Sequence, residues 1–391
     1  METVRFGVIG IGNIGTAHVN CLGDGCIENA VLAAACDLSE DRRAFCEERW
    51  GVPTFERYED MFASGLVDAV IVSVPHLLHA DIAASAIGAG LHVLVEKPID
   101  ITVSKARAIN AFAKKHDRVF GVMFNQRTSP LFQKAREIIK NGELGELKRT
   151  AWTITNWYRS QHYYDSGSWR ATWAGEGGGV LLNQAPHNLD LWQWVCGMPV
   201  SVTAFCDVAK YHRVEVEDDV TLFARYENGA TGTFVVTTGE YPGTNRLEIV
   251  GDKGKLVLEN GVMKWWKLLV SEREVCFNAT EMAPQIPMDY VEYVPQKAES
   301  AHAGILQNFT NAILFGEPLL APGTDGIYEL SISNAAYLSA WNGNKEISLP
   351  IDEMQFDRLL GELSKNSCYH VEKEVKDERS GKYSHRWQVQ W

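Results

Sequence analysis

Gly10-Ile11-Gly12-Asn13-Ile14-Gly15 is a G-x-G-x-x-G run between an apolar stretch and an amphipathic one, and Asp37 closes the next apolar stretch about 20 residues later. Chemistry explains the pattern. Gly10 permits a tight turn, Gly12 lets the backbone approach a pyrophosphate, and Gly15 lets a helix pack closely on its strand, while the helix N-terminus adds partial positive charge. The Asp37 carboxylate can accept hydrogen bonds from an adenosine ribose and would repel a 2′-phosphate, so the expected cofactor is NAD rather than NADP. Arg42 and Arg43 follow closely and are expected on a solvated helix face.

Two further segments carry groups that can move a proton. In Glu96-Lys97-Pro98 the lysine ends an apolar stretch. At the carboxyl edge of a parallel sheet its ammonium would face a cofactor; elsewhere it would be a solvated loop residue. Pro98 restricts the backbone that follows, and a cis bond there would aim the lysine. The run Glu176-Gly177-Gly178-Gly179-Val180-Leu181-Leu182-Asn183-Gln184-Ala185-Pro186-His187 puts Asn183 and His187 four positions apart. On one helix they would share a face and could share a substrate, although Pro186 implies a bend or a fresh start. A histidine there can equally be structural. His76, His79, His187 and the carboxylates lack a metal-ligand spacing, so no metal is expected.

These groups need a frame. From Val4 to about Phe124, strands at Arg5 to Ile9, Val31 to Cys36, Ala69 to Val74 and Leu91 to Val95 alternate with helical stretches near Ile14 to Cys21, Glu40 to Trp50 and Ala80 to Gly88. After Arg149 the apolar period becomes two, as in Val220 to Tyr226, Ala230 to Thr237 and Arg246 to Val250, with hairpin signals at Glu227-Asn228-Gly229 and Gly251-Asp252-Lys253-Gly254. Helical patterns return from His302 to Phe315 and from Gly326 to Trp341, at least one expected to pack back on the first domain. The expected fold is α/β: a Rossmann domain with a doubly wound parallel sheet over 1–124, then an α+β domain over 125–391 with a large, mostly antiparallel open sheet. One face of that sheet needs cover, which predicts a homo-oligomer.

The chain has 391 residues, 46% of them hydrophobic, enough for two packed domains. A net charge of -13 argues against a nucleic-acid or anionic-membrane partner. The eight cysteines form no Cys-x-x-Cys pair and read as reduced, partly buried thiols. No basic leader, and no run of roughly 18 apolar residues, suggests export or a membrane span, so a cytoplasmic protein is expected.

Taken in order, the glycine fingerprint, Val74-Pro75-His76-Leu77-Leu78-His79 before Glu96-Lys97-Pro98, and the glycine-rich run ending at His187 resemble the glucose-fructose oxidoreductase/inositol dehydrogenase (Gfo/Idh/MocA) family. The similarity runs from Arg5 to about Pro350 and includes Gly142-Glu143-Leu144-Gly145-Glu146. It implies an NAD-dependent dehydrogenase that oxidises or reduces a secondary alcohol on a sugar, cyclitol or related ring. By that resemblance Gly10, Gly12, Asn13, Ile14, Gly15, Asp37, Pro75, His79, Glu96 and Lys97 would bind the cofactor, and Lys97 and His187 would be the catalytic pair. Asn183 departs from the family pattern, where aspartate is common; an amide cannot relay a proton, so its role would be to orient the hydroxyl.

Six of the 12 tryptophans fall between Trp152 and Trp194, among Tyr, Arg and His, a composition suited to the mixed apolar and hydroxyl surface of a sugar ring. Asn156, Tyr158, Trp169 and Arg170, with Asn183 and His187, are the expected substrate contacts. Ser168-Trp169-Arg170, the triple glycine and Asn183-Gln184 resemble glycoside dehydrogenases that oxidise carbon 3 of glucosyl units, including the puerarin (C-glucoside) 3-oxidase type. Free-sugar or inositol dehydrogenase is the alternative within the family, and a non-catalytic NAD-binding regulator the alternative outside it.

Overall fold

Short Val-, Ile- and Ala-rich runs buried on both faces form the first sheet in the computed structural model, which describes residues 2–368. Its strands are β1 (Val4–Ile9), β2 (Ala30–Cys36), β3 (Thr54–Phe55), β4 (Ala69–Val72), β5 (His92–Val95) and β6 (Phe120–Val122), all parallel in the order β3-β2-β1-β4-β5-β6. The order reverses between β1 and β4, the switch point at which open α/β sheets leave a ligand crevice. β3 and β6, only two and three residues long, escape periodicity in the sequence. Position 1 and positions 369–391, within the expected domains, lie outside the described residues.

The second sheet has nine strands: β7 (Leu147–Ile154), β8 (Ser201–Val208), β9 (Glu217–Arg225), β10 (Thr231–Thr237), β11 (Asn245–Gly251), β12 (Gly254–Glu259), β13 (Val262–Leu268), β14 (Met288–Tyr293) and β15 (Ile347–Ser348). Their order is β14-β13-β12-β11-β7-β10-β9-β8-β15. Every pair is antiparallel except β7 with β10, which the alternating pattern alone does not reveal. Alternation sends Trp152, Leu222, Phe234 and Leu247 into the core and turns Phe205 and Phe223 outward.

The two sheets are stitched together by side chains and by returning helices. Ile305, Leu306 and Phe309 of the Ala301–Phe315 helix join Phe6, Val8 and Val122 in the first sheet's core. Asn334, in the Gly326–Trp341 helix, accepts from the Val103 amide at 3.1 Å and donates to the Ile101 carbonyl at 3.2 Å. Arg127, 1% exposed and just after β6, binds Asp190 through two nitrogens at 2.8 and 2.6 Å and Asp325 at 2.7 Å. That clamp fixes the Pro186–Cys196 helix, whose first turn carries His187.

Candidate active site

Because β1, β4 and β5 are neighbours, the loops after them meet at one sheet edge. Gly10 has φ +84°, and a Cβ on Gly15 would stand 1.8 Å from the Gly10 carbonyl oxygen. A Cβ on Gly12 would meet nothing within 4 Å, and no side chain caps the Asn13–Gly23 helix that follows. An open approach to uncapped helix amides is the fit a pyrophosphate requires. Asp37 is anchored beside the loop, its Oδ2 accepting from the Ile11 amide at 2.7 Å and its Oδ1 from the Ser39 amide at 2.8 Å. Arg42 stays half exposed, 3.4 Å from Asp37, whereas Arg43, expected in solvent, donates to the Asp37 and Leu38 carbonyls.

Glu96 and His79 have their polar atoms engaged within the protein. Glu96 Oε1 lies 2.8 Å from His18 Nε2, and Oε2 accepts from the Lys97 amide at 3.3 Å. Burial alone would raise the Glu96 pKa, but the His18 contact brings it down to about 2. His79 sets Nδ1 2.7 Å from the Pro98 carbonyl and Nε2 2.8 Å from that of Val74, leaving no ring nitrogen for a ligand. Both brace the loops that carry Pro75 and Lys97. The Lys97-Pro98 bond is cis.

Lys97 Nζ donates to the Asn183 carbonyl at 2.7 Å, which joins the first sheet's edge to the glycine-rich run. Burial lowers its pKa, against the opposing charges of Glu96, Glu176 and Glu329. His187 is pushed well below the usual imidazole range by burial and then by the Lys97 charge, and its Nδ1 is buried without a protein partner. The ring is therefore neutral at physiological pH. Asn183 and His187 do not share one helix. Asn183 ends the single turn Val180–Asn183, and Pro186 starts a new helix after Gln184 and Ala185.

Around this pair stand Trp169, in edge contact with His76 at 5.7 Å, and Arg170, whose guanidinium covers the rings of Trp169 at 4.6 Å and Tyr163 at 4.7 Å. Tyr163 and Glu176 join Asn183 by hydrogen bonds, and Gln184 donates to the Tyr163 hydroxyl. None of these three was given a site role from the sequence, although Gln184 stood in the Asn183-Gln184 resemblance, Glu176 opened the glycine-rich run and Tyr163 lay in the aromatic segment. Among the described residues, neither Asn156 nor Tyr158 reaches the cluster by a side-chain hydrogen bond or ring contact. Asn156 Oδ1 is buried and unpartnered, and Tyr158 packs on Tyr241 at the surface, 5.7 Å between rings.

Residues 4–124 match an oxidoreductase family with an NAD-binding Rossmann fold, and residues 132–257 match the GFO/IDH/MocA C-terminal domain. The chain belongs to the GFO/IDH/MocA oxidoreductase family. It is an NAD-dependent member. A curated relative, the myo-inositol 2-dehydrogenase of Thermotoga maritima, is 26% identical over 340 residues, covering 85% of this chain and 95% of that protein. The WlbA dehydrogenase from Bordetella pertussis, solved with NADH and UDP-GlcNAcA, is 27% identical with a TM-score of 0.75, covering 90% of this chain and all of that one. A levoglucosan dehydrogenase solved with NADH and levoglucosan shares the fold at 22% identity and TM-score 0.74, over 89% of this chain and 100% of its own. Among the described residues no cluster of His, Cys, Asp and Glu could hold a metal ion, and no helix is long and apolar enough to cross a membrane.

Proposed function

We propose that this family member oxidises a ring secondary hydroxyl of a sugar or glycoside, and that the hydroxyl is the one on carbon 3 of a glucosyl unit. The observation that carries the proposal is Lys97 Nζ, held against Asn183 at the cofactor edge with the neutral His187 in its field. Residues 1–124 serve as the cofactor half and the rest as the substrate half. Gly10, Gly12, Asn13, Ile14, Gly15, Asp37 and Pro75 hold the dinucleotide. Bound there, NAD supplies the hydride acceptor.

The chain's own groups handle the proton. Lys97 spends one N–H on the Asn183 carbonyl and keeps two for the substrate oxygen, where they stabilise negative charge as the hydroxyl ionises. His187, neutral, accepts the proton at a ring nitrogen. Asn183 orients the hydroxyl, and Trp169 and Arg170 flank the ring. A 3-keto product has an acidified proton on carbon 2, which would allow a later eliminating enzyme to expel the group on carbon 1.

The second reading is inositol oxidation, favoured by relatives named inositol 2-dehydrogenases that match 85% and 86% of the chain. Incubating the protein with NAD and a panel of glucosides, inositols and free sugars, followed by product analysis with a glucoside deuterated at carbon 3, separates the two. Deuterium in NADH supports the glycoside assignment. Label only from another carbon, or turnover confined to inositols, rejects it.

The outward Phe205 and Phe223, 54% and 37% exposed on the open sheet face, support a homo-oligomer. Light scattering at micromolar concentration should exceed the 43.6 kDa monomer mass, and a monomer would reject the oligomer.

A further inference from the structure

One hydrogen-bond chain runs behind Lys97. Arg170 Nη1 donates to Tyr163 Oη at 2.9 Å, Tyr163 Oη donates to Asn183 Oδ1 at 3.2 Å, and Asn183 Nδ2 donates to Glu176 Oε1. Gln184 Nε2 gives the tyrosine a second donor at 3.1 Å. The ends set its direction. A guanidinium can only donate and a carboxylate only accept, so the amide between them must turn its NH2 toward Glu176 and its oxygen toward Tyr163. Glu176 is 1% exposed, and its second oxygen takes the Ala171 amide at 2.7 Å. Rotating the carboxylate away would orphan a buried amide.

We propose that Glu176 is a positioning residue that sets the polarity of Asn183, so that the site presents a hydrogen-bond acceptor to the reacting hydroxyl in the ground state, before its proton passes to His187. The proposal rests on Asn183 meeting the substrate, as in the function proposed above. An aspartate at position 183 would accept at both oxygens unaided; an asparagine does so only when a neighbour takes its NH2 group. An alcohol, which donates, fits the lone pair that the carboxamide oxygen keeps beside Tyr163, and the ketone product, which only accepts, does not. The chain thereby distinguishes substrate from product at one atom.

In Glu176→Gln the new amide keeps the Ala171 bond through its oxygen and meets Asn183 with NH2, which forces Asn183 to turn its own NH2 toward the substrate. The KM for the alcohol should rise about tenfold while the KM for the ketone in the reverse reaction does not rise. Adding Asn183→Asp to that variant restores the acceptor and should recover most of the lost alcohol affinity. Asn183→Leu, which does not depend on Glu176→Gln folding, should raise the alcohol KM alone. Equal changes for alcohol and ketone, or a Glu176→Gln enzyme indistinguishable from the parent, would overturn the polarity assignment. If Asn183→Leu alters neither KM, Asn183 does not meet the substrate and the site reading itself is what fails.

Discussion

Gly12→Ala and Gly15→Ala, three positions apart in one motif, should fail in different ways. A Cβ on Gly12 meets no atom within 4 Å, and its φ of -75° is ordinary for alanine. The substitution should therefore change the stability of the unliganded protein by no more than about 0.5 kcal/mol, as at an unconstrained surface position. The added methyl occupies the approach to the uncapped helix amides, so NADH binding should weaken at least tenfold, about 1.4 kcal/mol. On Gly15 the same methyl stands 1.8 Å from the Gly10 carbonyl, backbone against backbone, and relief requires the helix to move off the strand. Overpacking of that kind costs roughly 1–3 kcal/mol before any ligand is added. Thermal melts of the free proteins and NADH titrations by fluorescence read the two effects separately. Parental NADH affinity in Gly12→Ala, or equal loss of stability in both variants, would refute the placement of the pyrophosphate at this loop.

Asp37→Ala should move the NAD/NADP preference at least tenfold toward NADP, because it removes a carboxylate that would repel a 2′-phosphate and leaves Arg42 beside the site; paired titrations check this. Glu96 has a folded pKa of about 2, below its ordinary value, so it stabilises the protein above the ordinary carboxylate range and that contribution disappears as pH falls toward 2. Urea midpoints of the parent and Glu96→Gln should accordingly differ most near neutrality and converge in acid. Asp190→Ala leaves Arg127 buried with one of its two carboxylates gone and should cost about 3–5 kcal/mol of stability, measured by denaturant unfolding.

The parts of the site that depend on local pattern were readable in the sequence. Gly10 to Gly15 and Asp37 lie within one βαβ unit, where strand, turn and helix follow from periodicity and turn chemistry. The same holds for Lys97 at a strand end. What escaped depends on distant contacts. The His18–Glu96 pair spans 78 positions and Arg127–Asp190 spans 63, and neither has a spacing rule. Glu176 stood in the quoted run, but its bond to Asn183 requires the chain to turn after the triple glycine, and Pro186 broke the helix that would have put Asn183 and His187 on one face. β7 pairing parallel with β10 was hidden for a related reason: alternation reports which face a residue takes, not the direction of its neighbour.

The central claim is that Lys97, at the cofactor edge, holds the reacting oxygen. Single-turnover NADH formation by Lys97→Ala, measured on the best glycoside or polyol beside an NADH titration of the same variant, tests it most directly. The rate should fall by roughly two to four orders of magnitude with the NADH Kd little changed. Near-parental turnover in Lys97→Ala would contradict the account even with the fold intact.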